Sequence, residues 1–428
     1  LKKFLVVAAF LGCSTGSLAQ ATAQLTASGQ GGAPAQFNQN VAVGQDALLA
    51  KYQAKMVAWV RQAAEEGQAE AQFNLGIMLA NGFGLAKDDA QAAIWWRRAA
   101  EQGYAPAQFN LGAMLELGTG VAEDEAQAIQ WYRRAAEQGL AQAQHNLAVR
   151  LDEGKDIARD EVQALQWYRQ AAEQGLAQAQ FNLGVKLEEG KIVAKDAEQA
   201  LQWYRLAAEQ GLVQAQVNLG IMLAEGKGVA KDEAQAMQWY RRAAEQGEVQ
   251  ALYNIGVMLM SGSGVAQDKE QAAQLFRVAA ESGFAQAQFN LGLMLANGDG
   301  IARDYAQAVQ WYRRAALQGV AAGQYQLGFM LEKGLGIARD YAQALQWYRR
   351  AAEQGDALAQ SSLGGMLTLG TGVRKDYPQA YFWLLLASTG DDSAKMMRDF
   401  VEKSLSSAEI RQAQARASVW RPTLENQP

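Results

Sequence analysis

Ala71–Gly103 reads AQFNLGIMLANGFGLAKDDAQAAIWWRRAAEQG, and this stretch decides the fold. It returns as Ala107–Gly139 and recurs, with changes, as far as Gly390. The glycine that closes its first half stands at 82, 118, 154, 190, 226, 262, 298, 334 and 370, so nine copies follow one another at a fixed period of 36 residues. Ala71, Leu75, Met78 and Leu79 share one side at about 3.6 residues per turn, which predicts a first helix, A. Gly82 and Gly84 end it, because glycine takes left-handed backbone angles without steric cost. Asp88 starts a second helix, B. Every copy has Asp here, from Asp88 to Asp376, and Gln three residues later, from Gln91 to Gln379. The Asp is expected to accept from a free helix N–H while the Gln reaches back, as in a capping box. Helix B buries the columns of Ala92, Trp96 and Ala99 and stops at Gly103. A helix–loop–helix unit with this period predicts an all-α solenoid in which each repeat packs on its neighbours.

The residues AQFNLG at Ala71–Gly76, GFGLAKD at Gly82–Asp88 and WWRRAAEQG at Trp95–Gly103 resemble the Sel1-like repeat family, relatives of the tetratricopeptide repeats. The resemblance spans Asp46 to Trp420. It implies a right-handed α–α superhelical solenoid of nine repeats with helical caps, acting as an adaptor or binding scaffold for a protein or peptide. Some secreted relatives staple each repeat with a disulfide. This chain has Cys13 alone and departs from them.

The ends differ from the repeats. Lys2-Lys3, the apolar run Phe4–Leu11 and the small residues Ser17-Leu18-Ala19 read as a signal peptide over 1–19, with a mature start at Gln20. The apolar run is too short to span a bilayer. A bacterial protein that is periplasmic or secreted is expected, and Cys13 after Phe10-Leu11-Gly12 leaves a lipid-anchored envelope protein as the alternative. Residues 20–45 are Gln-, Ala-, Gly- and Ser-rich and read as a disordered linker. Residues 46–68 read as a capping helix, since Trp59 and Gly67 lie 36 before Trp95 and Gly103. The nine repeats occupy 69–391, and 392–428 form a helical cap and tail. In the last repeat Tyr381–Leu386 is apolar where helix B is otherwise polar, so it needs cover. Helices near Ser393–Lys403 and Ala408–Val419 supply it, the second with Ser406 and Glu409 in capping-box spacing.

Chemistry is sparse. A net charge of −5 makes no electrostatic case for nucleic acid. The one histidine, His145, sits in the column of Phe73, Phe109, Phe181, Tyr253, Phe289 and Tyr325, and reads as a substitute aromatic on a helix face. It has no second histidine or mature cysteine to share a metal with. No Ser is followed three residues later by Lys, which removes the nucleophile motif of serine β-lactamases and penicillin-binding proteins. The Gly-x-Gly loops lack the Lys-Ser/Thr of a phosphate loop. The methionine column from Met78 to Met366 reads as core. The Arg pairs read as solvated helix pairs such as Arg97–Glu101. No cofactor and no enzymatic activity are expected, and a cell-wall or β-lactam hydrolase is kept only as an alternative.

What remains is a binding surface on helix A. Positions 70, 73, 77, 80 and 81 share an arc that, by analogy with tetratricopeptide repeats, lines the concave groove. The candidate partner-binding residues are Phe73, Phe109, His145, Arg150, Asp152, Glu153, Phe181, Lys186, Glu188, Glu189, Tyr253, Phe289 and Tyr325: an aromatic row with an acidic middle. Repeats three and four stand out, because Arg150 and Lys186 replace the methionine and the second loop glycine is lost at Asp156 and Ile192. Long basic side chains there are expected to carry their charges into water, or to pair as Arg150–Glu153 and Lys186–Glu189. The chain is read as a monomer that binds a protein or peptide partner. A secreted or surface-exposed factor that binds a host protein is the alternative.

Overall fold

The computed structural model describes residues 53–388 and 392–423. The signal peptide and linker expected over 1–45 lie outside the described residues. All 21 elements among the described residues are helices, and no strand occurs among them. α1 covers 53–65. The next eight helices are α2 (Ala69–Asn81), α3 (Asp89–Glu101), α4 (Ala105–Leu117), α5 (Glu125–Glu137), α6 (Ala141–Glu153), α7 (Glu161–Glu173), α8 (Ala177–Glu189) and α9 (Ala197–Glu209). They are followed by α10 (Val213–Glu225), α11 (Glu233–Glu245), α12 (Val249–Ser261), α13 (Lys269–Glu281), α14 (Ala285–Asn297) and α15 (Tyr305–Leu317). The remainder are α16 (Ala321–Lys333), α17 (Tyr341–Glu353), α18 (Ala357–Leu369), α19 (Tyr377–Ala387), α20 (Asp392–Glu402) and α21 (Ser407–Val419). Even numbers from α2 to α18 are helices A and odd numbers from α3 to α19 are helices B. The chain divides into two compact parts. One runs to Arg150 and includes Gly154–Ala158, and the other comprises Leu151–Glu153 and everything from Arg159. Within each part, a helix packs on those before and after it in sequence, which is the solenoid pattern.

The repeat geometry follows from a few side chains. The first loop glycine takes the left-handed conformation in every repeat, as at Gly82 with φ 68°. The second is dictated by close approach: a Cβ on Gly120 would stand 2.4 Å from the Asp89 backbone of the preceding helix B. Asp156, which replaces that glycine in repeat three, keeps the left-handed angle at φ 58°, while β-branched Ile192 in repeat four does not. The N-terminal Asp of every helix B, from α3 to α19, accepts from the Gln backbone N–H three residues on, at 2.8–3.0 Å. The expected capping box does not close, for a physical reason. The Asp88 N–H already donates to Leu79 O at 3.0 Å, tying helix B to helix A. The Gln side chain therefore turns to the Asp carboxylate instead, as from Gln127 to Asp124 at 2.6 Å.

At the C-terminal end the apolar helix α19 is covered. Trp383 meets Trp420 edge-on at 6.4 Å, and the Arg416 guanidinium lies 4.4 Å from the centre of the Phe382 ring. Ser406 and Glu409 close a true capping box on α21. At the other end Trp59 on α1 is exposed. No helix among the described residues is long and apolar enough to cross a membrane.

Candidate binding face

Helix A buries Ala71, Phe73, Leu75, Met78 and Leu79 and leaves Ile77 and Ala80 of the predicted arc half-buried. The aromatic row is packed rather than free. Phe73 is buried against Trp96 and Tyr104, with ring centroids at 6.4 and 5.3 Å, and Val217 in the same column is also core. Phe109, Phe181, Phe289 and Tyr325 are half-buried, each tilted on the aromatic residue of its own helix B at 5.6–6.0 Å. Tyr253 rests on both Phe276 and Phe284. The expectation of exposed aromatic anchors is corrected accordingly. Large rings over a helix B that already presents Tyr or Phe bury most of their area before any partner arrives. A second row does reach solvent in part: Val149 in one compact part, and Val185, Ile221, Val257, Leu293 and Phe329 in the other. Position 77 lies on the predicted arc, and its column carries no charge or ring until Phe329 to mark it in the sequence.

The charged residues are corrected more sharply. Arg150 does not carry its charge into open water. It reaches back to Glu116 of the preceding repeat, with side chains 17% and 23% exposed. Lys186 does the same to Asp152 at 2.6 Å, with 15% and 19% exposure. The methionine position points inward, toward the carboxylate at position 80 of the repeat before, so a base there finds an acid 34 residues back. The same carboxylates take hydroxyls from helix B. Tyr132 donates to Glu116 at 2.7 Å, Tyr204 to Glu188 at 3.0 Å and Tyr348 to Glu332 at 2.8 Å. Burial, aided by the facing carboxylate, holds the Tyr132, Tyr204 and Tyr348 hydroxyls well above the usual tyrosine range, so they stay neutral donors. Burial pushes the His145 imidazole below its ordinary value, so it adds no positive charge to the face at neutral pH. Glu153 and Glu189 are exposed, and Lys191 lies 3.3 Å from Glu189.

One network was missed. Gln72 is buried and donates to Ala64 O at 3.1 Å, while Gln102 donates to Gln72 at 2.7 Å. The arrangement recurs as Gln108 with Gln138, Gln180 with Gln210, Gln216 with Gln246, Gln288 with Gln318 and Gln324 with Gln354. In repeat six both members change together, to Leu252 and Ser282, and that joint loss was the available signal. On helix B the second Arg of each pair stacks on a Trp three residues earlier. Arg98, Arg134, Arg242, Arg314 and Arg350 lie 4.4–4.9 Å from the ring centres. The stacking concerns the second Arg of each pair and stands apart from the Arg97–Glu101 reading, which is of the first. The methionine column is core, as expected.

Comparison with known proteins agrees with this architecture. The crystal structure of c5321, a protective antigen present in uropathogenic Escherichia coli strains, is similar at 35% identity and TM-score 0.53, covering 85% of this chain and 94% of that one. A Sel1 repeat protein from Oxalobacter formigenes is similar at 33% identity and TM-score 0.55, covering 72% of this chain and 89% of that one. Curated proteins give no match. Sel1 repeats generally mediate protein interactions, and their fold is typically a non-catalytic scaffold. The Sel1 repeat itself matches nine times without a gap, at 69–104, 105–140, 141–176, 177–212, 213–248, 249–284, 285–320, 321–356 and 357–392, and the chain belongs to the Sel1 repeat family.

Proposed function

We propose that this chain is an exported bacterial adaptor that binds a protein or peptide partner along the helix-A face, in the concave groove of the solenoid. The observation that carries this reading is the pairing of two rows on one face. Half-buried rings and partly exposed apolar residues line helix A from Phe181 to Phe329, with the carboxylates of Glu188, Glu189 and Glu225 beside the first of them, while helix B is close to invariant. Partly buried apolar side chains supply anchor area, and the carboxylates steer approach and set salt dependence. The chain acts as a monomer, in the periplasm or secreted after cleavage at Ala19. The likeness to a protective antigen favours the secreted or surface-held variant, in which the partner is a host protein. Cell fractionation separates these locations.

A binding scan tests the face. Phe109→Ala and Phe181→Ala are expected to weaken the partner by roughly 1–2 kcal/mol each. Arg133→Ala, on helix B, is expected to leave binding unchanged. If helix-B substitutions abolish binding while both Phe variants bind normally, the site belongs on the other face.

A further inference from the structure

Two carboxylates at position 80 are neutralised by the chain itself. Within one compact part Glu116 receives Arg150, and within the other Asp152 receives Lys186 at 2.6 Å. In each case the base comes from the following repeat, at the position methionine holds elsewhere. Glu188 occupies position 80 one repeat further on. Its Oε2 accepts the Tyr204 hydroxyl at 3.0 Å. The next repeat offers Met222, which is 1% exposed, in place of a base. The other charged groups near this site are Glu189 and Lys227, and Lys227 is drawn to Glu225 at 2.5 Å. Glu188 is therefore a half-buried carboxylate at a place where the fold twice supplies a cation and here does not. One helical turn before it on the same face stands Val185, with Phe181 one turn further back. Both are half-buried.

We infer that Glu188 seats a Lys or Arg side chain of the partner, which takes at Glu188 the place that Lys186 takes at Asp152. A cation held by a partly desolvated carboxylate makes a charge-assisted hydrogen bond, and its neighbouring apolar residues would lie on Val185 and Phe181. This inference rests on the helix-A binding reading and narrows it to a segment in which a basic residue is flanked by apolar ones.

Met222→Lys tests it directly, because repeats three and four already accept a base at that position. The variant fills Glu188 from within. The probe is a short fluorescein-labelled peptide of alternating leucine and arginine, read by anisotropy against the full chain, with a citrulline-for-arginine version as control. Met222→Lys and Glu188→Gln are each expected to weaken the arginine peptide roughly tenfold or more. The citrulline peptide should bind weakly and equally to all three chains. Glu188→Gln keeps the side chain's size, so it carries the test if Met222→Lys does not fold. The inference is overturned if both variants bind the arginine peptide as the parent does, if citrulline binds equally well, or if the parent does not bind. Phe181→Ala separates the two readings. Loss with Phe181→Ala but not with the charge variants keeps the groove and rejects the Glu188 seat. The reverse keeps the seat and rejects the apolar row.

Discussion

Gln324 is fully buried, donates to Ala316 O at 3.1 Å and accepts from Gln354 at 2.8 Å. One side chain thus joins helix A to the helix B before it and the helix B after it. Truncating it strips the Gln354 amide of its acceptor and leaves Ala316 O to backbone donors such as the Gly319 N–H. Gln324→Ala is expected to cost about 1–3 kcal/mol, read as faster hydrogen exchange in α16 and α17. The paired exchange Gln324→Leu with Gln354→Ser should cost less than Gln324→Ala alone. Repeat six carries that pair as Leu252 and Ser282, and it removes both polar members together. A larger loss from the pair would mean that the glutamines carry more than mutual satisfaction. At this scale the sequence was only partly legible. Leu75, Met78 and Ala99 declare themselves core by periodicity, whereas a glutamine repeated in all units but the sixth reads as surface. The Glu116–Arg150 and Asp152–Lys186 pairs were hidden for a related reason. Helical spacing exposes partners three or four residues apart, and these stand 34 apart, across repeats.

The helix termini show opposite electrostatics in one architecture. Hydrogen bonds from the Gln307 and Gln343 backbones hold the Asp304 and Asp340 carboxyls below the usual range at the starts of α15 and α17. Asp356, which caps α18 by accepting from Ala359 N–H at 2.8 Å, is pushed up by burial. The signs then differ. A depressed carboxyl adds stability above its unfolded value, about 3.9, and loses it as pH falls through the folded value. A raised carboxyl costs stability once pH climbs through its folded value, and the cost vanishes in acid. Asp340→Asn is therefore expected to lower the helical melting temperature at pH 7 and to match the parent near pH 2. Asp356→Asn, which keeps an acceptor and drops the charge, is expected to raise it at pH 7 only. Circular dichroism melts at the two pH values check both, and a loss at pH 7 from Asp356→Asn would contradict the assignment. The starts of helices B were legible, because Asp and Gln recur in all nine repeats. The open capping box was not, because it depends on where the Asp88 N–H goes, and that is fixed by helix A.

Across the whole molecule, a period of 36 without insertions means that removing one repeat rejoins equivalent positions. Stability in such arrays is a sum of repeat and nearest-neighbour terms, so deletion should shorten the solenoid without unfolding it. The structure adds that the nine repeats are not interchangeable. Deleting Ala285–Val320 brings α16 onto α13. Gln324 can then donate to Ala280 O, as Gln288 does at 3.1 Å, and the ion pair lost is the exposed Lys269–Asp299 contact. Exposed pairs of this kind are worth little. Deleting Ala177–Leu212 has another consequence. Asp152, only 19% exposed, loses Lys186 and meets Met222 instead, leaving a partly desolvated carboxylate without its cation. Both shortened chains are expected to keep the helical circular dichroism of the parent per residue. The chain without Ala177–Leu212 should melt lower, and Asp152→Asn in that background should recover part of the difference. Global unfolding of both deletions would reject the nearest-neighbour picture. Equal melting of the two would show that the charge at Asp152 needs no counterion, and would weaken the case for a partner cation at Glu188 as well.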